Sequence, residues 1–579
     1  ALPFSRTTEL QGDRPAVPGA RGRHHVVNLR KTSRAPAAAG LSRRELARFA
    51  GSLILGGALP SRASAAGPAA AAVAPAPDAA PDLYRDLGVR PLINCRGTVT
   101  VIGGSIELPE VRAAKSLANQ QHVQLDELME AAGKRLAELT GAEWGMVTAG
   151  CAAAMSHATA ACVAGGNPDL HVRIPDLTGF PKDEVIVPGH SRNVYDAAIR
   201  AVGVKVIEVE TPEELGQAIG PKTAMIYIFA NSRNEEGPMS LEAVAALARP
   251  HGIPVLVDAA AEVLTIPNVH LQRGATLVCY SGGKIIRGPQ SAGLLLGRKD
   301  LVQAAWIHSA PHHGYARAMK VGREEIVGML VAVESWVKRD HDAEWQGWIA
   351  RAEHIASAVS NLPGVTALVR REPGGRSNRS PRVAIRWDSA ALGITGAEAA
   401  DILDTTEPRI ALGGGGGGGG GGGRSAQEEP GDTGISLNMS MMAPGDEKIV
   451  ASRVRQVLSA RHTPRPAAAP KPPATDLTGQ WEVAIRYRAS TTVHAVHLQQ
   501  TGNQLAGRHH GNFIARDITG TIDGNSVSLA STVTERHGDS LRYGFTGTVA
   551  GDAMSGTLEM GEYLDATWTA RRHLFGEPA

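Results

Sequence analysis

Lys284, which follows two glycines, is a candidate for covalent chemistry. Ser281-Gly282-Gly283-Lys284 comes directly after the strand candidate 276–280. A lysine amine whose pKa is lowered can form a Schiff base with an aldehyde. Most lysines are solvated surface charges, but the position after a strand and two glycines favours the chemical role. We therefore take Lys284 as the candidate reactive amine. Ser281 is a candidate hydrogen-bond donor to a phosphate group.

An aspartate closes another apolar run. Asp258 follows 255–257, which has the composition of a buried strand. In doubly wound sheets, ligands bind at the carboxyl ends of the strands. A carboxylate there could pair with a protonated ring nitrogen, or it could cap the helix that follows. The residue alone leaves both interpretations open.

Two further segments contain groups that could bind a phosphate and a phenolic ring oxygen. Gly150, Cys151 and Ala152 precede a helical stretch that ends near 163, and small residues at a helix start leave backbone N–H groups free to bind phosphate. Asn231 follows the strand candidate 224–229 and could donate to a phenolic oxygen. The alternative for Asn231 is an ordinary loop residue.

Taken in chain order, these groups match the needs of one cofactor. The phosphate segment comes first, His190 follows as a stacking group, and Asn231, Asp258 and Lys284 come after it. A pyridoxal phosphate (PLP) site requires a phosphate anchor, a stacking group, an acid for the ring nitrogen and a Schiff-base lysine. Each signal is weak alone, but together they predict a PLP-dependent enzyme.

The chain resembles the fold-type I PLP-dependent enzymes over roughly 82–460. It is similar in particular to the group that contains selenocysteine synthase (L-seryl-tRNA selenium transferase) and D-glucosaminate-6-phosphate ammonia lyase. The most specific segment is 281–290, Ser-Gly-Gly-Lys-Ile-Ile-Arg-Gly-Pro-Gln. The other matching segments are 93–98, 139–143, 148–154, 189–190 and 258–260.

The resemblance implies a role for each candidate residue. It implies that Lys284 carries the cofactor, that Asp258 pairs with the pyridine nitrogen and that His190 stacks on the ring. It also implies a homodimer or a higher homo-oligomer. It places Gly150, Cys151, Ala152 and Ser281 near the phosphate, and it makes Arg317, Lys320 and Arg409 candidates for binding an anionic substrate. Ordinary surface charge is the alternative for those last three residues.

The elements that must position these residues alternate between short apolar runs and helical stretches up to about residue 330. This alternation predicts an α/β fold with a mainly parallel sheet and helices on both faces. We therefore expect a large PLP-binding domain over 82–330 and a small α+β domain over 331–460. The small domain should open with one long helical stretch, 326–359, and should contain a flexible glycine loop at 413–423.

The C-terminal part has a different pattern. A Pro/Ala-rich linker is expected at 461–476, followed at 477–574 by an all-β barrel or sandwich with strands at 481–487, 521–529 and 541–549. This domain has histidines at 494, 497, 509 and 510. We expect them on solvated strand faces, and metal binding is the alternative.

The first 65 residues have the layout of an export signal. Arg43 and Arg44 precede an apolar run at 49–59 and the small-residue site Ala63-Ser64-Ala65, and a linker follows at 66–81. This order predicts a twin-arginine signal and a periplasmic or secreted protein. The alternative is an ordinary amphipathic helix start. The apolar run is too short for a stable membrane span, which needs about 20 residues.

Charge and targeting narrow the range of substrates. The first 48 residues hold ten Lys/Arg and three acids, so the rest of the chain is acidic although the formal net charge is +2. An acidic body argues against a nucleic-acid partner. We therefore expect an exported PLP-dependent lyase that acts on a small-molecule substrate, an amino acid or amino-sugar acid, through Lys284.

Alternatives remain on the same scaffold and outside it. The same site could serve an aminotransferase, a racemase or an aldolase, because they share the cofactor chemistry. A non-catalytic protein that binds a ligand through the β domain is a second alternative. A serine acyl-enzyme is a third, since Ser281 and Lys284 fit SxxK and 436–438 fits SxN, but no Lys-Thr-Gly follows.

Overall fold

The computed structural model describes residues 82–372, 375–413, 432–462, 470–534 and 540–573. The predicted signal region 1–65, the linker 66–81, the glycines at 414–423 and residues 463–469 of the second linker lie outside the described residues. The described chain forms an α/β unit followed by a closed β-barrel.

A seven-stranded sheet organises the first part. The order is β2-β8-β7-β6-β5-β3-β4, and every neighbouring pair is parallel except the two pairs that β8 makes. β2, β6 and β8 are buried along their whole length, as expected for strands covered on both faces. The strands up to this point are β1 (Ile93–Cys95), β2 (Trp144–Thr148), β3 (Glu184–Pro188), β4 (Lys205–Val209), β5 (Thr223–Phe229), β6 (Val255–Asp258), β7 (Leu277–Ser281) and β8 (Gly293–Gly297).

Helices cover this sheet. The helices of this part are α1 (Leu83–Asp86), α2 (Pro109–Ala118), α3 (Leu125–Thr140), α4 (Cys151–Ala164), α5 (Pro168–His171), α6 (Ala197–Arg200), α7 (Pro212–Ala218), α8 (Leu241–Ala248), α9 (Val269–Gln272) and α10 (Lys299–Ile307). Every residue of α4 except Ala152 is buried, because α4 packs against five strands of the sheet. Among the described residues, no helix combines the length and apolar character that a membrane crossing requires.

The small domain contains a three-stranded antiparallel sheet in the order β12-β10-β9. β11 instead pairs in parallel with β1, which ties the start of the large domain to the small one. Its strands are β9 (Val365–Arg370), β10 (Arg382–Asp388), β11 (Ile410–Leu412) and β12 (Asp432–Asn438). Its helices are α11 (Arg323–Lys338), α12 (His341–Val359), α13 (Ser389–Leu392), α14 (Gly396–Thr405) and α15 (Asp446–Ser459).

The prediction of one helical stretch at 326–359 is wrong at its centre. α11 ends at Lys338, and Arg339 has an extended backbone (ψ 135°). Asp340 then caps α12, because its carboxylate accepts a hydrogen bond from the Ala343 N–H at 2.9 Å. The aspartate therefore starts a second helix instead of continuing the first.

The C-terminal strands close into an eight-stranded barrel in which each strand pairs antiparallel with the next and β13 pairs with β20. Buried residues alternate with exposed ones along the strands, and they form a core separate from that of the α/β unit. The strands are β13 (Gly479–Arg486), β14 (Thr491–Thr501), β15 (Gln504–His510), β16 (Ala515–Asp523), β17 (Ser526–Thr534), β18 (Ser540–Ala550), β19 (Ala553–Glu559) and β20 (Asp565–Arg572).

Two expectations about this domain need correction. The single strand predicted at 521–529 is a hairpin, because Gly524 adopts φ +60° and turns the chain between β16 and β17. Of the four histidines expected on solvated faces, His497 and His510 are exposed, but His494 and His509 are buried inside the barrel.

Candidate functional site

The loop that carries Lys284 is tightly packed. It follows β7, and the N–H of Gly282 donates to the carbonyl of Ala292 at 2.8 Å. A side chain at Gly283 would place its Cβ 2.7 Å from Gln290 Cα, so this turn accepts only glycine. The half-buried Lys284 therefore projects from a backbone that the neighbouring segments fix in place.

Asp258 ends β6 with only 1% of its surface exposed. One carboxylate oxygen accepts the Ala260 N–H at 3.0 Å and faces the Cys151 thiol at 3.6 Å, and the other accepts the Tyr227 hydroxyl at 3.1 Å. Burial raises the pKa of Asp258, and these donors and the nearby Lys284 charge oppose that rise. Among the described residues no cation forms an ion pair with this carboxylate, so it can accept a cationic group from a ligand.

Tyr227 is a part of this site that the sequence analysis missed. It is fully buried in β5, receives a hydrogen bond from Asn193 Nδ2 at 3.0 Å and donates its own proton to Asp258. Burial raises its pKa well above the ordinary value, so the hydroxyl stays a donor. In sequence, a tyrosine between isoleucines is indistinguishable from a core residue.

Cys151 and Cys279 also lie beside Asp258. Their two Sγ atoms and a carboxylate oxygen of Asp258 all lie within 4.8 Å of one another. Both cysteines are buried and free. A hydrogen bond with Cys279 and then burial raise the pKa of Cys151, and burial raises that of Cys279. Both groups therefore remain neutral thiols beside the carboxylate.

The predicted phosphate segment forms an open helix start. Gly150 has φ +94°, no side chain caps α4, and a Cβ at Gly150 would meet nothing within 4 Å. β8 approaches closely behind it, since a Cβ at Gly293 would lie 2.7 Å from Cys151 N. Free N–H groups and the positive end of the helix dipole fit a phosphate. Ala152 is exposed at this start, and Ser281 is half-buried at the end of β7.

His190 and Asn231 form one unit. Asn231 Nδ2 donates to the carbonyls of His190 at 3.2 Å and Phe229 at 3.0 Å, which uses both of its hydrogens. The His190 ring is held at Nε2 by Asn234 at 2.8 Å. Burial and the Arg233 charge lower the pKa of His190, so its ring is neutral. Asn231 thus positions His190, and its amide has no hydrogen left for a ring oxygen.

The three predicted substrate-binding cations lie in different surroundings. Arg317 is exposed and donates to the carbonyl of Pro311 at 2.7 Å, and Lys320 is exposed as well. Arg409 precedes β11 and forms a two-pronged ion pair with Asp404, with both N···O distances at 3.1 Å. The contacts of Arg409 thus leave less of its guanidinium free for a substrate.

The residues present fit PLP. The open start of α4 suits the phosphate, the buried carboxylate of Asp258 suits a protonated ring nitrogen, and Lys284 supplies an amine within electrostatic reach of Asp258. The Cys151 thiol and the Tyr227 hydroxyl each contact one carboxylate oxygen of Asp258.

The chain is similar to PLP-dependent enzymes of known function. Residues 181–313 match the family described as aminotransferase class-V. A D-glucosaminate-6-phosphate ammonia lyase of Salmonella typhimurium is 29% identical over 386 residues, which are 65% of this chain and 98% of that protein. A 5'-C-glycyluridine monooxygenase-decarboxylase of a Streptomyces species is 34% identical over 345 residues, which are 57% of this chain and 83% of that protein.

Two further similarities agree with these. An L-seryl-tRNA(Sec) selenium transferase of Moorella thermoacetica is 26% identical over 320 residues, which are 49% of this chain and 61% of that protein. A solved structure of D-glucosaminate-6-phosphate ammonia-lyase superposes with a TM-score of 0.57 at 28% identity, covering 66% of this chain and 99% of that one.

Proposed function

The chain belongs to the fold-type I PLP-dependent enzymes, in the group of D-glucosaminate-6-phosphate ammonia lyase and seryl-tRNA(Sec) selenium transferase, and we propose that it is a lyase for an amino acid or amino-sugar acid. The buried Asp258 beside Lys284 carries this proposal, because it combines an acceptor for a ring cation with a reactive amine. Similarity to the ammonia lyase over nearly its whole length supports the reaction type.

When bound, PLP supplies an aldehyde that condenses with amines and a ring that takes up electrons from the substrate's α-carbon. Lys284 would hold the cofactor through its Nζ, and the same atom would move the substrate's α-proton. The Asp258 carboxylate would hold a proton on the ring nitrogen, and Tyr227 and Cys151 orient that carboxylate.

The remaining residues bind and orient. The N–H groups at Gly150, Cys151 and Ala152, together with Ser281, bind the phosphate. His190, held by Asn231 and Asn234, presents its neutral ring for stacking. Arg317, Lys320 and Arg409 are the proposed partners of an anionic substrate group.

A second candidate reaction follows from one observation. The monooxygenase-decarboxylase shares more identity with this chain, 34%, than the ammonia lyase does at 29%. An oxygen-dependent decarboxylase of an amino acid is therefore the alternative to the lyase. Aminotransferase, racemase and aldolase reactions use the same groups, but no residue contact favours them.

Product analysis separates these reactions. The PLP-loaded protein is incubated with amino acids, D-glucosaminate and D-glucosaminate 6-phosphate, and ammonia, keto acid, CO₂ and O₂ uptake are measured. A lyase releases ammonia and a keto acid without consuming O₂, and the Lys284→Ala variant loses this release. Lys205→Ala is the control, because Lys205 is exposed and pairs with Glu184 at the starts of β4 and β3, whereas Asp258 and Ser281 lie at the ends of their strands. CO₂ release that requires O₂ would overturn the lyase assignment in favour of the alternative.

We also propose that the enzyme is exported by the twin-arginine route to the periplasm or beyond, and that it acts as a homodimer. The order of Arg43-Arg44, the apolar run 49–59 and the small-residue site 63–65 supports export. This route carries folded proteins, which suits an enzyme that binds its cofactor before export. The family resemblance supports the homodimer.

A further inference from the structure

The barrel interior is polar at one end. Six inward-facing side chains gather there, near the turns that join β13 to β14 and β15 to β16, and we call them the polar barrel end. They lie on the same strand faces as core residues such as Val496 and Ile518. The polar barrel end consists of Tyr487, His494, His509, Arg516, Ser531 and Tyr543.

The two histidines of the polar barrel end form a hydrogen bond with each other. His494 Nδ1 lies 2.8 Å from His509 Nε2, and His509 Nδ1 lies 2.7 Å from the Ser531 hydroxyl. Burial lowers the pKa of His509 to about 3 and also lowers that of His494, and the Arg516 charge adds to both shifts. Both imidazoles are therefore neutral at neutral pH.

The guanidinium of Arg516, in contrast, has an incomplete set of hydrogen bonds. Arg516 is only 6% exposed, its Nε has no hydrogen-bond partner, and one Nη donates weakly to the carbonyl of Leu541 at 3.4 Å. Its guanidinium stacks on Tyr543 with Cζ 4.8 Å from the ring centre. No carboxylate among the described residues forms an ion pair with it. A buried charge without a partner is costly, so such a group points to a missing anion.

The rest of the interior limits what can bind. A cavity of about 10 Å³ lies among seven apolar side chains, which is room for about one water. This cavity therefore has no space for a large apolar ligand. The cavity is lined by Val483, Val496, Ile518, Leu529, Phe545, Met554 and Trp568.

Charge and shape identify the ligand class. A metal ion is disfavoured because Arg516 would repel it, and no group of three potential metal ligands occurs among the described barrel residues. One uncompensated positive charge matches one negative charge, and a planar guanidinium pairs well with a planar carboxylate. We propose that the polar barrel end binds one small monocarboxylate through the Arg516 guanidinium.

The test uses the full-length protein with its PLP reduced by borohydride, so that the cofactor position is filled, and any binding of fluoroacetate to the substrate-binding cations is the same in all variants. Fluoroacetate is titrated and its ¹⁹F line width is measured for the wild type, Arg516→Met and Arg508→Met. Arg508 is the matched control, because it pairs with Asp517 on the outer face of the same barrel. We expect wild type and Arg508→Met to bind fluoroacetate equally, acetate to displace it, and Arg516→Met to bind at least tenfold more weakly.

Circular dichroism establishes that each variant folds. If Arg516→Met does not fold, Arg516→Lys takes its place, because it keeps the charge but loses the planar fork, and it must also bind tenfold more weakly. The proposal is overturned if the wild type does not bind fluoroacetate or if the Arg516 variant binds as well as the wild type. Displacement by inorganic phosphate but not by acetate would overturn the carboxylate assignment.

Discussion

At Asp258, burial and hydrogen bonding act in opposite directions. The loss of water raises the pKa of the carboxyl group, whereas the Ala260 N–H, the Tyr227 hydroxyl and the Cys151 thiol all stabilise its anion. A protonated ring nitrogen would add the missing cation. The site is thus prepared to hold a negative charge that becomes favourable when the cofactor binds.

Tyr227→Phe tests this arrangement. The substitution removes one donor to a buried anion, a contribution of about 1.5–3 kcal/mol, so PLP should bind about tenfold or more weakly. The pKa of Asp258 should rise further, and the acid limb of the pH–activity profile should move to higher pH. Absorbance titration with PLP and a pH profile measure the two effects.

Tyr280→Phe is the control, because Tyr280 is also fully buried but its hydroxyl accepts from Asn268 Nδ2 at 2.7 Å instead of contacting Asp258. It should leave the affinity for PLP and the pH profile unchanged. Equal effects of the two substitutions would show that Tyr227 has only a packing role.

The sequence reveals the candidate reactive residues of this site more readily than the residues that contact them. Lys284 and Asp258 stand out because a charged residue at the end of an apolar run has few structural reasons to be there. Tyr227 and Cys279 do not stand out, since both have the composition of core residues. Their contact with Asp258 depends on β6 lying between β5 and β7, and strand order cannot be deduced from periodicity.

At the scale of elements, the turn before α2 holds the segment that carries Lys284. The N–H of Ser105 donates to the carbonyl of Gly283 at 3.0 Å, and Gly104 is buried against the same carbonyl. A Cβ at Gly104 would lie 2.6 Å from that oxygen. The turn before α2 therefore controls the position of the lysine loop.

Gly104→Ala should disturb this contact. Gly104 has φ +66° and Gly103 has φ +83°, so alanine at either position costs about 1–2 kcal/mol of backbone strain. Only Gly104→Ala adds a clash, for which overpacking costs suggest about 1–3 kcal/mol more. We expect Gly104→Ala to lower the melting temperature and PLP retention well beyond Gly103→Ala, whose Cβ meets nothing within 4 Å. Identical losses would contradict the role given to this contact.

Element positions were predictable where apolar periodicity is strong. The strand candidate 224–229 lies within β5, and the strand candidate 255–257 lies within β6. The errors occur where one local residue overrides periodicity. Asp340 starts a new helix within 326–359, and Gly524 reverses the chain within 521–529.

At the scale of the whole molecule, two hydrophobic cores are present, one in the α/β unit and one in the barrel. The proposed catalytic residues belong to the α/β unit, and the polar barrel end belongs to the barrel. Composition predicted both units, because the Pro/Ala-rich segment 461–476 separates two patterns of different period. The buried charge of Arg516 could not be foreseen, since it depends on how the barrel closes.

The export proposal predicts the compartment in which the enzyme is found. Replacing Arg43 and Arg44 by lysine should block twin-arginine transport and lower the periplasmic amount at least tenfold in a bacterial host that has this pathway. Arg34→Lys is the control, because it lies outside the pair. Fractionation followed by immunoblotting measures the result, and unchanged periplasmic levels of the double variant would exclude this route.

The attachment of PLP to Lys284 is the central claim, and one measurement tests it directly. The purified protein is loaded with PLP, its visible absorbance is recorded before and after borohydride, and the digested peptides are weighed by mass spectrometry. We predict a visible band that borohydride removes, a phosphopyridoxyl mass on the peptide containing Lys284, and neither in folded Lys284→Ala. No band after added PLP, or the label on a different lysine, would contradict the account.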